Sequence, residues 1–255
     1  MPRLSFSSFD LKLLAVFFML VDHIGFYFVD TPIWLRCLGR ISYPLFLFCL
    51  VWSYRYTHSR WQFCLRLYLM GLFMVVFCWW VDWQWPTDMG FGNHNIFVNM
   101  LLTCLLISII ELAGRDKRSC ALLLGLLAAW QAAFYAVPQY LLPQLRNLSG
   151  DYLVAIFPNL ALSEYGFDFV ALGATMYFLK ERPARLAAAY LLFCLYMFSD
   201  EMLNYGMMVQ CCMVLALPFM LLYNRRKGRG LKWFFYIFYP AHAFILFYLA
   251  NFVFD

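Results

Sequence analysis

Charged residues are scarce in this sequence. Asp, Glu, Lys and Arg make up 13% of the 255 residues, whereas 65% are hydrophobic and the mean hydropathy is +0.70. A soluble domain carries roughly 25% charged residues, and a globule of this length has too small an interior to hide so much apolar surface. The scarcity of charge therefore excludes a soluble protein. It predicts an all-α, polytopic membrane helix bundle that forms a single domain over residues 1–255.

Motifs for metal, redox and phosphate-loop chemistry are missing as well. The nine cysteines are scattered through apolar runs without a C-x-x-C pair, and only Cys211 and Cys212 are adjacent. Cysteine in lipid behaves as a small hydrophobic residue, so packing is favoured over a disulfide or a metal site. No glycine-rich phosphate loop stands out in the sequence. The sequence therefore predicts no metal cofactor.

What the sequence does contain is a series of nine apolar runs, most of them close to the roughly 17 to 25 residues that cross a bilayer. The sixth is long and broken around Pro158, and the seventh is short. The nine predicted spans are Leu11–Val29, Trp34–Tyr54, Phe63–Val81, Ile96–Leu112, Ala121–Val137, Tyr152–Leu179, Arg185–Phe198, Tyr205–Tyr223 and Leu231–Val253.

The gaps between these runs alternate in charge. Every second gap is basic, and the others hold mainly acidic residues, with Arg36 and Arg146 as exceptions. Basic loops face the cytoplasm. The alternation predicts a cytoplasmic N-terminus and an outside C-terminus, provided that residues 152–179 cross once, with a kink or a re-entrant piece. The net charge of +5 then follows from topology, and no nucleic-acid partner is expected.

Four polar residues lie inside the predicted spans: Asp22, His23, Arg40 and His242. An ionisable group inside a span is costly unless it is paired. Counting from Lys12, His23 lies roughly 16 Å into the bilayer, and counting from Lys232, His242 lies roughly 15 Å in. Asp22 and His23 are neighbours, so on a helix they point about 100° apart and cannot hydrogen-bond to each other. We therefore expect Asp22 to pair with Arg40 of the second span and His23 to face a cavity towards His242. The alternative is that these groups serve only helix packing.

Five blocks of the sequence resemble, in order, the signature blocks of the TraX family. They are LKLLAVFFMLVDHIG, LRCLGRISYPLFLF, YTHSRWQFCLRL, NIFVNMLL and LLYNRRKGRGLKWFFYIFYPAH. The founding member of that family acetylates the N-terminus of a conjugative pilin. TraX proteins are similar to the wider transmembrane acyltransferases, whose first span carries an essential histidine, and His23 is the counterpart here. The resemblance implies a multi-pass protein of the bacterial inner membrane.

The resemblance also implies a reaction and a site. The expected reaction moves an acetyl group from cytosolic acetyl-CoA to an acceptor at the outer face. The predicted catalytic group comprises His23, Asp22, Arg40 and His242, and histidine suits the reaction as a base or as an acetyl carrier. The residues expected to bind the phosphates of acetyl-CoA at the inner rim are Arg55, Arg60, Arg66 and Lys232. Membrane topology alone also explains each of these cations.

Several alternatives stay open at this point. The acceptor is a pilin amine or, as the second choice, the hydroxyl of a surface glycan. Paired acids and histidines in broken spans also suit a proton-coupled transporter, a different class of protein. Glu164 and Asp168, four residues apart, are expected on one helix face, where they either line the acceptor route or serve packing.

Overall fold

The computed structural model of the chain describes residues 5–88, 90–92, 94–136, 150–204 and 209–254. These residues form helices and connecting turns. They contain no β-strand, and a single isolated bridge joins Phe6 to Tyr223. The chain divides into two compact units. The first comprises Met1–Ser53 together with Thr175–Asp255, and the second comprises Tyr54–Ala174.

The first unit is assembled from both ends of the sequence. Helix α1 packs against α2 and against α11, and α9 packs against a short 3-10 helix and against α10. The helices with residues in this unit are α1 (Ser8–Tyr27), α2 (Trp34–Gly39), α3 (Ser42–Tyr56), α8 (Gly166–Leu179), α9 (Pro183–Asn204), the 3-10 helix Gln210–Ala216, α10 (Leu217–Leu221) and α11 (Lys232–Phe252). Of these, α3 ends and α8 begins in the second unit.

The start of α1 is fixed by its own sequence. Ser7 and Asp10 form a capping box, in which the Ser7 hydroxyl accepts from the Asp10 backbone N–H at 3.3 Å and the Asp10 carboxylate accepts from the Ser7 N–H at 2.8 Å. Such a box satisfies the first N–H groups of a helix. The Ser8 N–H also donates to the Arg226 carbonyl at 2.8 Å. The basic loop before α11 is therefore attached to the beginning of α1.

Two glycines allow α1 and α2 to approach closely. A Cβ on Gly39 would overlap the Asp22 side chain, and a Cβ on Gly25 would lie 2.9 Å from the Cβ of Leu35. Small residues let helix backbones approach closely in membranes. The position of Asp22 against α2 therefore depends on the absence of a side chain at residue 39.

The second unit contains the predicted third to fifth spans. Helix α4 packs against α5 and α7, and α5 packs against α6. The helices in this unit that have not yet been named are α4 (Arg60–Gln84), α5 (Ile96–Ala113), α6 (Lys117–Ala136) and α7 (Gly150–Ile156). Ser59 caps α4, and its hydroxyl accepts from the Gln62 N–H at 3.3 Å.

The break predicted around Pro158 is present, because α7 ends at Ile156 and α8 begins at Gly166. Side chains of neighbouring helices bind the backbone of the segment between them. Asn99 accepts from the Tyr165 N–H at 3.0 Å and donates to the Gly166 carbonyl at 3.1 Å. Gln131 accepts from the Leu160 N–H at 2.7 Å. Non-helical backbone at membrane depth needs such partners.

The same turn corrects one expectation. Glu164 lies before the start of α8, whereas Asp168 lies in the first turn of that helix. The prediction that they share a helix face is therefore wrong. Glu164 instead accepts from the backbone N–H of Asn95, at 2.6 Å.

Six of the described helical segments are long and apolar enough to cross a bilayer, as expected of a multi-pass membrane protein. They are Trp34–Tyr56, Arg60–Gln84, Ile96–Ala113, Lys117–Ala136, Pro183–Leu203 and Trp233–Phe252. Helix α1 has 20 residues but carries Asp10, Lys12 and Asp22, so it is not among the six. The predicted seventh span is longer than expected. The predicted eighth falls partly on residues 205–208, outside the described residues, and continues as the short apolar segment Gln210–Leu221. Nine crossings stay a prediction.

Candidate functional site

Two histidines from opposite ends of the sequence meet in the first unit. His23 lies near the C-terminal end of α1, and His242 lies in the middle of α11. His242 Nε2 is 2.7 Å from His23 Nδ1, and the two ring planes are within 1° of parallel. His242 is 5% exposed. The structure therefore brings this predicted pair together, whereas the catalytic role of each residue stays a prediction.

The remaining sides of His242 are also in contact. Its Nδ1 lies 2.8 Å from the carbonyl oxygen of Phe238, one turn earlier in α11. The Phe238 ring is within 5° of parallel to the imidazole, with ring centroids 4.8 Å apart. The His242 ring thus has one orientation, set by its own helix on one side and by His23 on the other.

Asp22 is the centre of an ion-pair cluster next to this histidine pair. Its Oδ2 lies 2.9 Å from Arg36 Nη1, and its Oδ1 lies 3.8 Å from Arg40 Nη2. Arg36 Nη1 also donates to the Asp22 backbone carbonyl at 3.1 Å. The predicted pairing of Asp22 with Arg40 is present, but Arg36 is the closer partner. Asp22 therefore holds α1 to the α2 segment through two arginines.

The sequence explains why Asp22 faces α2. Leu11, Ala15 and Met19 are buried at intervals of four residues, and Asp22, three residues after Met19, continues that stripe of α1. His23, about 100° further around the helix, faces α11. The ion pair and the histidine pair thus lie on different faces of the same helix, α1.

Sequence reasoning did not find Arg36, which was attributed to an outer loop as an exception to the charge pattern. The structure has it within α2. Two signals could have identified it: it is a basic residue in an otherwise acidic gap, and it lies four residues before Arg40, on the same face of a helix.

The four cations expected to bind acetyl-CoA have different surroundings. Arg60 forms an ion pair with Glu111, whose Oε1 is 3.4 Å from Arg60 Nη2, and its guanidinium lies 4.8 Å from the Tyr54 ring centroid. Arg66 lies over the Phe63 ring at 5.8 Å, and Arg55 is exposed at the end of α3. These three arginines belong to the second unit. Lys232 is the first residue of α11 in the first unit, and its side chain lies outside the description.

The other two histidines lie outside this cluster. His58 is exposed between α3 and α4. His94 is buried just before α5, and its Nε2 lies 3.0 Å from the Phe91 carbonyl oxygen. Among the described residues, no group of three or more His, Cys, Asp or Glu side chains is arranged to hold a metal ion.

The histidine pair and the ion pair differ in what they can do chemically. An imidazole can take up a proton near neutral pH or carry an acyl group, and a second imidazole in contact can orient it. Asp22, Arg36 and Arg40 form a cluster with one positive charge in excess, and this cluster joins α1 to α2. The geometry therefore joins the two histidines to each other and Asp22 to α2, and the chemical role of each residue stays a prediction.

Comparison with known proteins gives two matches. The family model described as TraX protein matches residues 7–148 and 152–250. A probable fimbrial assembly protein, FimC of serogroup H1, from Dichelobacter nodosus, is 30% identical over 83 residues, which are 31% of this chain and 34% of that protein. The match therefore spans about a third of the length of that relative. No solved structure matches this chain. Because the family model covers most of the sequence, including both helices that carry the histidine pair, the chain belongs to the TraX family.

Proposed function

We propose that this protein is an acetyltransferase of the bacterial inner membrane, which moves an acetyl group from cytosolic acetyl-CoA to the N-terminal amine of a pilin. The observation that carries the proposal is the contact of His23 with His242 at 2.7 Å, between two helices that the TraX family model includes. A proton-accepting pair within a helical membrane protein suits acyl transfer to an acceptor that is itself at the membrane.

The reaction requires one group that can accept and return a proton. The neutral amine attacks the thioester carbonyl carbon, a C–N bond forms, and the C–S bond breaks. The proton lost by the amine goes to His23, and His23 returns it to the CoA thiolate as it leaves. General base catalysis by a positioned histidine typically contributes about 10² to 10⁴ in rate.

Asp22 supports this chemistry without taking part in it. Its contacts with Arg36 and Arg40 join α1 to α2 beside the histidine pair. The same contacts fix the turn of α1 that carries His23. Arg40 thus acts through helix position and not through the substrate.

The phosphates of acetyl-CoA require cations at the cytoplasmic rim. Arg55 and Arg66 are the arginines of the predicted set for which no ion pair is seen among the described residues, and Arg60 shares its charge with Glu111. The fourth predicted cation, Lys232, belongs to the first unit, at the start of the helix that carries His242. Arginine and lysine both bind phosphate, arginine with the more directional geometry.

The choice of a pilin as acceptor is supported by the relative. That protein is named as a probable fimbrial assembly protein, and fimbriae are built from pilin subunits. Transfer to a glycan hydroxyl would use the same proton transfer and stays the alternative acceptor. The two alternatives can be distinguished by offering a pilin and a glycan, in separate reactions, to the same preparation of the protein.

The test is acetyl-CoA-dependent release of free thiol by the protein in liposomes, with a pilin or a glycan as acceptor. The His23→Ala variant should fold and bind acetyl-CoA but lose turnover by about 10² to 10⁴. The matched control is His58→Ala, in which an exposed loop histidine is removed and the rate should not change. A stable His23→Ala variant that acetylates at the wild-type rate would refute the proposal.

One observation favours a transporter as the second candidate. The chain between α7 and α8 is broken, and half-helices of this kind form ion and substrate sites in transporters. A transporter would move protons or a solute across the liposome membrane without consuming acetyl-CoA. Thiol release by the wild type would exclude a function of transport alone.

A further inference from the structure

The basic loop before α11, residues 224–230, is held by the chain that leads into α1. The Asn224 N–H donates to the Phe6 carbonyl at 2.9 Å, and the Ser8 N–H donates to the Arg226 carbonyl at 2.8 Å. Within the loop, the Asn224 side chain accepts from the Arg226 N–H at 2.9 Å. The first half of the basic loop therefore has a defined backbone.

Two residues of the basic loop have left-handed backbone conformations. Arg225 has a φ of 62°, a region that residues other than glycine rarely adopt. Its guanidinium lies 2.9 Å from the Glu181 carboxylate and 5.7 Å from the centre of the Trp52 ring. Gly228 has a φ of 69°, and a Cβ there would overlap the Ser7 hydroxyl. Such conformations persist only where surrounding contacts hold them.

Three further cations of the basic loop are directed to solvent. Arg226, Lys227 and Arg229 are exposed, and none of them forms an ion pair within the part of the chain that the structure describes. The orientation of a membrane protein requires only the charge of such a loop and no particular backbone. Three exposed cations on a fixed backbone suit a ligand that carries several phosphate groups.

The two helices that carry the histidine pair both begin beside the basic loop. Helix α1 is attached to the loop, and α11 begins at Lys232, directly after it. The rings of Phe9 and Phe235 are 6.5 Å apart near the loop, and those of His23 and His242 are 4.7 Å apart further along, so the helices run in the same direction. At about 1.5 Å per residue, His242 lies roughly 15 Å from the start of α11.

We propose that the basic loop binds phosphate groups through Arg226, Lys227 and Arg229, and that these phosphates belong to CoA. CoA carries its phosphates at one end and its thiol at the end of a long flexible arm, as the distance from the loop to the histidine pair requires. The assignment to CoA rests on the proposed function. The loop and the histidine pair belong to the first unit, whereas the three arginines of the predicted set belong to the second. The phosphate of an anionic lipid has the same chemistry and is the other source.

The first test measures the Kd for CoA, without acetyl group or acceptor, of the full chain in phosphatidylcholine liposomes. The loop variant carries Arg226→Gln, Lys227→Gln and Arg229→Gln, and its Kd should be at least about tenfold higher than that of the wild type. The control variant removes the same charge from exposed cations at the turn between α5 and α6, by Arg115→Gln, Lys117→Gln and Arg118→Gln, and should bind CoA as the wild type does. An unchanged Kd in the loop variant, or equal losses in both variants, would overturn the proposal.

A second pair of variants keeps every cation and changes only the backbone of the basic loop. Gly228→Ala should weaken CoA binding, because the new methyl group overlaps the Ser7 hydroxyl and the left-handed φ disfavours alanine. The matched control is Gly230→Ala, where no atom lies within 4 Å of the methyl group and the Kd should not change. Wild-type binding by a folded Gly228→Ala variant would show that the held conformation has no role. If Gly228→Ala does not fold, the loop variant decides.

Liposomes that contain phosphatidylglycerol distinguish the two sources of phosphate. Loss of phosphatidylglycerol co-purification by the loop variant, together with an unchanged Kd for CoA, would assign the loop to lipid and overturn the assignment to CoA. A protein that binds CoA through this loop but transfers no acetyl group would refute the proposed function and leave the loop assignment intact. Acetyl transfer by the loop variant with an unchanged KM for acetyl-CoA would refute the loop assignment and leave the proposed function intact.

Discussion

At the scale of single residues, Asp22 is a charged side chain held largely out of solvent. It is 16% exposed and has two guanidinium groups within 3.8 Å. Removing one partner of a buried ion pair leaves a charge that neither water nor a counter-ion compensates. The closer contact of Arg36 implies that this arginine, and not Arg40, contributes most to holding the charge.

The first prediction concerns this ion pair. Asp22→Asn and Arg36→Gln should each destabilise the protein by about 3 to 5 kcal/mol, and the double variant should lose less than the sum of the two. The measurement is thermal unfolding in detergent. The pair Asp22→Asn and Arg40→Gln is the comparison, and its coupling should be smaller because the two charges are 3.8 Å apart. Additive effects of Asp22→Asn and Arg36→Gln would contradict the pairing.

At the scale of elements, the contact between α1 and α2 decides where the ion pair and the histidine pair lie. The turn between these helices is tight: Asp30 has a φ of 59°, and the Thr31 hydroxyl donates to the Phe28 carbonyl at 3.1 Å. Gly39 then lies directly against Asp22. The short turn and the lack of a side chain at Gly39 together allow Arg36 and Arg40 to lie against the Asp22 carboxylate.

The second prediction follows from this close approach. Gly39→Ala should lower the melting temperature and weaken the ion pair, because the added methyl group overlaps the Asp22 side chain. The control is Gly125→Ala on α6, where no atom lies within 4 Å of the new methyl group. Alanine is the better helix former by about 1 kcal/mol, so the control should be neutral or stabilising. Equal losses in the two variants would show that Gly39 has no packing role.

A third prediction concerns the segment between α7 and α8. Asn99 is fully buried and binds the backbone of Tyr165 and of Gly166. Asn99→Ala removes both bonds, and each buried polar group that loses its partner should cost about 1 to 3 kcal/mol. The measurement is the melting temperature, together with protease cleavage between residues 157 and 165.

The matched control for this third prediction is Asn251→Ala. Asn251 donates to the carbonyl of Phe247 on its own helix, at 2.9 Å, and that carbonyl is already part of the helical ladder. We expect a small loss of stability in the control. A loss as large as that of Asn99→Ala would mean that Asn99 does not hold the broken segment.

At the scale of the whole molecule, the number of crossings decides on which side each end lies. Six described segments meet the length and composition of a span. Helix α1 carries three charged residues, and the chain is broken before α8. The alternation of basic and acidic gaps favours nine crossings.

The fourth prediction is the topology itself. A reporter fused after Asp255 should lie outside the cytoplasm, and one inserted within the loop 225–229 should lie inside, because that loop is strongly basic. Paired enzymatic reporters that are active on opposite sides of the membrane provide the measurement. A cytoplasmic C-terminus would mean that residues 152–179 cross twice or not at all.

The sequence by itself determined the class of this protein and the position of its unusual residues. The scarcity of charge requires a bilayer, and a bilayer requires helices, because their backbone groups bind one another. The spacing of His23 from Lys12 and of His242 from Lys232 predicted similar depths. The length of the sixth run and the proline within it, Pro158, indicated a break. These are local or compositional properties, and no knowledge of packing is needed to infer them.

Only the tertiary structure decided which residues of different helices are in contact. Asp22 could have taken any cation at its depth, and the choice of Arg36 arises because Gly25 and Gly39 let α2 approach α1 at one rotation. The 2.7 Å contact of His23 with His242 joins residues 219 positions apart, a separation at which spacing carries no information about distance. The turn that separates Glu164 from α8 exists because Asn99, on another helix, binds its backbone. Such contacts depend on the packing of whole helices, which no local pattern encodes.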